Sequence, residues 1–105
     1  MAFADKLKQL PAVNHLAALQ LLDAAGNVVA TIENKPGQSG ALAVYAELAA
    51  RHGSINVAAA QEGLDIFAEH TAHARAHAGS HPNIDRLLAV VASGESFSVN
   101  RLLSV

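Results

Sequence analysis

The chain of 105 residues carries seven Lys and Arg against nine Asp and Glu, for a formal net charge of −2, and 51% of its residues are hydrophobic. The basic residues are dispersed, and three Phe and one Tyr are the only aromatic residues. This argues against a nucleic-acid-binding protein, which needs clustered positive charge or stacking platforms. Cysteine is absent, which excludes disulfides, thiolate metal sites and cysteine nucleophiles.

The length and the apolar content predict one domain over residues 1–105 with a core of its own. Residues 1–10 carry charges where a secretion signal needs an apolar segment. The longest apolar run, residues 87–92, is too short to span a bilayer. We therefore expect a soluble cytoplasmic protein with neither membrane nor nucleic acid as a partner.

The first third of the chain predicts a short helix followed by a β-hairpin. Apolar residues at helical spacing predict the helix over residues 2–10, and Pro11 ends it. Residues 15–33 contain two apolar, alternating segments. The polar stretch 23–27 between them predicts a turn in which Gly26 can adopt a positive φ.

The middle of the chain predicts three helices. The first spans about residues 40–52, with Ser39 as its candidate N-cap and Gly53 as its end. A longer helix over about residues 55–78 has an apolar stripe that repeats every three or four residues. The third covers residues 82–93 and begins with a proline, which suits the first turn.

A last strand over residues 96–103 completes the order α-β-β-α-α-α-β. This order predicts an α+β fold: a small antiparallel sheet, formed by the hairpin and the C-terminal strand, packed against three or four helices. The first strand carries Leu16 and Leu22 on one face against Leu19 and Leu21 on the other. Because helices on one side leave the second face uncovered, we expect a homodimer.

The main concentration of ionisable side chains is a group of four histidines: His70, His73, His77 and His81. On a helix the first three fall within about 60° of one another, at the border between the apolar stripe and solvent. Pairs of histidines spaced i, i+3 or i, i+4 can chelate one ion. The four histidines are therefore the candidate metal ligands, and Zn²⁺ or Ni²⁺ are the ions that imidazole suits.

Several alternatives stay open for this group. His70 and His77 lie about 10 Å apart along a helix, so a third ligand would come from His81, His52 or a carboxylate. Glu69 could orient the ring of His73. No His-Glu-x-x-His motif is present, and ordinary surface or interface histidines would give the same pattern.

A second candidate site lies in the loop before the helix at 40–52. Lys35, Gly37, Ser39 and Gly40 could bind a phosphate or carboxylate through backbone N–H groups, a hydroxyl and an ammonium group. Arg86, near a later helix start, could join them or pair with a carboxylate. The P-loop motif is absent, and a plain strand-to-helix connection would need similar residues.

The chain carries a family resemblance in four segments. They are Leu21-Leu22-Asp23 with the Gly26-Asn27 turn, Asn34-Lys35-Pro36-Gly37, Phe67-Ala68-Glu69-His70-Thr71, and residues 81–88. Together they resemble a family of small proteobacterial proteins, the domain of unknown function DUF2322, over nearly the whole chain. The resemblance implies a stand-alone bacterial cytoplasmic protein and no activity, cofactor or catalytic residue.

Two functional hypotheses follow. The first is a non-catalytic binding or interaction module, a homodimer whose helices present a surface to a protein or small-ligand partner. It follows from the surplus apolar strand surface and from the lack of a recognisable catalytic group of residues. The second is a metal-binding protein or metal-dependent enzyme that uses the histidine cluster at positions 70, 73, 77 and 81.

Overall fold

The computed structural model describes residues 2–104. Its elements are α1 (Phe3–Leu7), β1 (Leu16–Leu22), β2 (Val28–Glu33), α2 (Ser39–His52), α3 (Val57–Phe67), α4 (Glu69–Ala76), α5 (Pro82–Ser93) and β3 (Ser98–Leu103). The predicted α+β fold is confirmed, with helices packed against an antiparallel sheet in the order β2-β1-β3. No helix within the described residues is long and apolar enough to cross a membrane.

The hairpin turn forms where the sequence predicts it. The Asp23 carboxylate accepts hydrogen bonds from the backbone N–H groups of Ala25 and Asn27, both at 2.9 Å. Gly26 has a φ of 86°, a conformation that a residue with a side chain rarely adopts. These local contacts set the turn that joins β1 to β2.

The helices cover the sheet face that carries Leu19 and Leu21, which are fully buried. Leu16 belongs to the same core, although the sequence predicts it on the opposite face with Leu22. A bulge between Leu16 and Ala18 adds one residue to β1 and so reverses the alternation of side chains. The prediction for Leu16 is wrong, and the uncovered face is less apolar than expected.

The helix predicted over about residues 55–78 is two helices. Ala68, with φ 51° and ψ −118°, ends α3, a conformation that is disfavoured for a residue with a Cβ. Thr71 Oγ1 donates to Leu64 O (2.7 Å) across the break, which satisfies a carbonyl that the ending helix leaves free. The break separates the histidine-bearing α4 from α3.

The sequence predicts some of the other helix ends correctly and one of them wrongly. Gly53 ends α2 with a φ of 79°, and Pro82 opens α5. Ser39 is not the N-cap of α2; Gln38 precedes the helix, and its side chain makes no capping bond. Gln38 Oε1 instead accepts from the N–H of Glu33 (3.1 Å), which ties the loop to β2.

Candidate functional site

A cleft of about 320 Å³ opens where α1, the loop before α2, the α3–α4 junction and the start of α5 meet. Its lining residues are Phe3, Phe67 and His70 on one side, Gly37, Gly40 and Ala41 on another, and residues 80–84 on the third. The cleft therefore joins part of the histidine cluster to part of the predicted anion loop, two segments well separated in the sequence.

One wall of the cleft is aromatic. The rings of Phe3 and Phe67 stack with centroids 5.3 Å apart, and the His70 ring meets Phe3 edge-on at 5.3 Å. The backbone N–H of Phe3 donates to Glu69 Oε1 (2.8 Å), which lowers the pKa of Glu69. Glu69 therefore holds the N-terminal segment in place, and the prediction that it orients His73 is wrong.

The four histidines lie close together, but their nearest contact is not one that helical spacing predicts. His73 Nδ1 lies 2.9 Å from His81 Nε2, so one nitrogen carries the hydrogen and the other accepts it. The ring centroids of His73 and His77 are 4.4 Å apart, and those of His70 and His81 are 5.6 Å apart. The turn after α4 brings His81 back over the helix.

The geometry of this histidine cluster limits how it can bind an ion. Within residues 2–104 no group of three or more His, Asp or Glu side chains is placed to hold a metal ion. An ion at the His73–His81 contact would therefore have two protein ligands. Loss of hydration, together with the neighbouring rings of His77 and His81, lowers the pKa of His73. His52 lies elsewhere, with Nε2 2.7 Å from Glu62 Oε1.

The five residues of the predicted anion site separate in the structure. Gly37 and Gly40 line the cleft, whereas Lys35, Ser39 and Arg86 do not. Lys35 Nζ pairs with Glu33 Oε2 at 2.9 Å. The guanidinium of Arg86 also has partners within the protein, since it donates to the side chain of Asn83 and to the hydroxyl of Tyr45.

Tyr45 and Asn83 support the cleft, and the sequence analysis missed their role. The buried Tyr45 hydroxyl donates to the backbone oxygen of Asn83, a residue that lines the cleft. Burial raises the pKa of Tyr45 to about 12, although the nearby Arg86 charge opposes the shift. A tyrosine within an apolar helix stripe was the available signal, because a buried hydroxyl needs a partner.

These features define a small α+β protein with a mixed aromatic and histidine cleft between its helices. Residues 3–101 match the model of a family described as an uncharacterized protein conserved in bacteria (DUF2322). The chain belongs to this family, as its four sequence segments indicated. No curated protein and no solved structure matches the chain.

Proposed function

We propose that the protein is a non-catalytic cytoplasmic binding module that acts as a homodimer and holds a small ligand in the cleft. The observation that carries this proposal is the convergence of Gly37 and Gly40 with His70 and His81 on one cavity. A concave, mainly apolar site with a few polar groups is the usual form of a small-molecule site. About 320 Å³ is near the lower end of such sites.

The bonding around the cleft favours binding over catalysis. A serine nucleophile needs an adjacent base within hydrogen-bond reach. Ser80, whose hydroxyl is near the cleft, donates instead to the backbone oxygen of His77 (2.7 Å). That bond closes the turn after α4, so the hydroxyl has a sufficient structural role.

A cleft-filling variant tests the binding role. Ala41→Phe should place a ring in the cavity and abolish the NMR shifts that a set of small aromatic and aliphatic compounds causes in wild-type protein. Ala72→Phe is the matched control, because Ala72 is exposed on α4 and lies outside the lining. Compounds that bind both variants and the wild type equally would contradict the assignment of the cleft.

The dimer part of the proposal is supported by the sheet face that the helices leave uncovered. Leu22 and its partner Val28 lie on this face with Leu102, and Val28 is 49% exposed. Gln20 and Asn100, which bond to each other at 3.0 Å, occupy its centre. A second copy covering this face would remove the apolar side chains from water.

Sedimentation at micromolar concentration tests the dimer. Val28→Lys should shift the protein to monomers, because it places a charge on the uncovered face. Val91→Lys is the matched control, since Val91 is another exposed apolar residue (38%) but lies on α5. A wild-type protein that sediments as a strict monomer would refute this part of the proposal.

A second candidate function is metal binding, which the 2.9 Å separation of His73 Nδ1 and His81 Nε2 favours. Two imidazole nitrogens on a tetrahedral zinc ion stand about 3.3 Å apart, as follows from Zn–N distances of about 2.0–2.1 Å. A small outward movement of the two rings would therefore admit Zn²⁺ or Ni²⁺. Any hydrolytic chemistry would further require an open coordination position for water.

Metal analysis separates this candidate from the first. Protein purified without a tag or metal column should hold stoichiometric zinc or nickel, and His73→Ala or His81→Ala should lose it. His15→Ala is a control, because His15 is exposed and lies outside the cluster. Metal-free protein whose melting temperature does not change in EDTA would argue against metal as a functional ligand.

A further inference from the structure

The chemical class of the ligand can be inferred from the groups that the cleft presents. Its aromatic wall consists of stacked Phe3 and Phe67, with Phe67 only 5% exposed. A flat aromatic or branched apolar group fits such a wall, because aromatic rings bury large apolar areas and prefer offset or edge contacts. The ligand should therefore have an apolar body.

Two polar side chains of the lining, those of Asn83 and His70, have hydrogen-bond donors to offer a ligand. Asn83 Oδ1 accepts from Arg86 Nη1 (2.9 Å), and the backbone oxygen of Asn83 accepts from Tyr45. The amide NH₂ group of Asn83, which only donates, takes part in neither of these bonds. His70 also lines the cleft, and no hydrogen bond to another residue within 2–104 engages its ring. A neutral imidazole can offer one N–H.

The acidic groups near the cleft are bonded to the backbone. Glu69 accepts from the N–H of Phe3 at 2.8 Å, and Asp85 accepts from the N–H of Gly79 at 2.9 Å. Among the described residues that line the cleft, none is acidic. The lining itself therefore holds no carboxylate that would repel a negative ligand or serve as a countercharge for a cation.

We propose that the cleft binds a small carboxylate whose apolar body lies on Phe3 and Phe67 and whose carboxylate accepts from His70 and Asn83. This inference rests on the proposed small-ligand function of the cleft. It goes further by naming the charge and shape of the ligand. The volume of about 320 Å³ suits a compound of one ring or one short branched chain.

Three probes test the proposed class of ligand: benzoate, benzyl alcohol and inorganic phosphate. Each is titrated into tag-free protein in the presence of EDTA, and binding is followed by the shifts of the amide NMR signals. Benzoate should move the amide signals of Gly40, Ala41 and Ile84. Benzyl alcohol, which keeps the ring without the charge, should bind at least about tenfold more weakly, since a hydrogen bond to a charged group is worth about a factor of ten or more. Phosphate, which lacks the apolar body, should also bind more weakly.

His70→Phe provides a second test, because it retains a ring against Phe3 and removes the donor. It should weaken benzoate about tenfold, and it should weaken benzyl alcohol, whose hydroxyl is an uncharged acceptor, by a smaller factor. His15→Phe should change neither. The comparison of probes on wild-type protein stands even if a variant does not fold. Equal binding of benzoate and benzyl alcohol would overturn the carboxylate assignment and leave the cleft as a ligand site. If no probe moves a cleft signal, both the assignment and the cleft function fail.

Discussion

Tyr45 gives the most direct test of how the helices hold the cleft, because its ionisation should undermine the fold at high pH. Its side chain is fully buried between α2 and the start of α5. Burial raises its pKa from 10.0 to about 12. The unfolded chain therefore loses this proton at a lower pH than the folded protein does. The stability that Tyr45 contributes is fully present below about pH 10 and is lost as the pH rises through 12.

The magnitude follows from the size of the shift. Two pKa units correspond to about 3 kcal/mol of unfolding free energy at about 1.4 kcal/mol per unit. At neutral pH, Tyr45→Phe should itself cost about 1–3 kcal/mol, because the backbone oxygen of Asn83 loses its donor. The advantage of wild type over the variant should therefore shrink steadily above about pH 10.

The assay combines absorbance titration with urea unfolding. Tyr45 is the only tyrosine and the chain has no tryptophan, so the tyrosinate absorbance reports this one group. Unfolding wild type and Tyr45→Phe in parallel at several alkaline pH values subtracts the effect of lysine titration. A folded protein whose tyrosine ionises near pH 10, with a constant stability difference from the variant, would refute the reasoning.

Three further predictions concern the helix contacts and the histidines. Gly63→Ala should destabilise the protein by about 1–2 kcal/mol in urea unfolding, because overpacking outweighs the gain in helix propensity. The added methyl group would lie 2.7 Å from Leu87 Cδ1. A more stable variant would contradict this packing. Ala68→Gly should stabilise the protein by about 1 kcal/mol, since glycine relieves the strained backbone at φ 51°. The control Ala72→Gly, within α4, should destabilise the protein by a similar amount. If both variants change the unfolding free energy equally, Ala68 is not strained. Because the pKa of His73 is lowered in the folded protein, His73 becomes protonated at a higher pH in the unfolded chain than in the folded one. The melting temperature in EDTA should therefore fall as the pH drops below about 6.5. His73→Gln should lose most of this dependence, and identical pH profiles would show that the cluster does not affect stability.

Much of the fold could be predicted from the sequence because it depends on local chemistry. The Asp23 side chain and Gly26 set the hairpin turn within five residues. Gly53 and Gly94 end their helices with positive φ values, a conformation that glycine adopts without steric cost. Apolar periodicity gave the helices and strands, and the family assignment followed from short segments.

Other features were decided by tertiary structure. No glycine or proline lies between Leu64 and Ala78, and the apolar periodicity continues through the break at Ala68. Packing against the rest of the molecule must therefore help to hold that strained residue. The bulge that directs the Leu16 side chain toward the core forms where β1 pairs with β3, a strand some eighty residues further along the chain. Strand partners at that separation leave no local signal.

The candidate site shows the same division. The sequence supplied the histidines and the glycine loop as separate candidates, and helical spacing favoured histidine pairs within the helix predicted over about residues 55–78. The turn after α4 instead placed His81 against His73, and the Tyr45 hydroxyl fixed the start of α5 beside Gly40 at the cleft. Side-chain type and spacing therefore determine which groups are available, whereas their meeting point depends on long-range packing, because contacts between distant segments form only when the whole core closes.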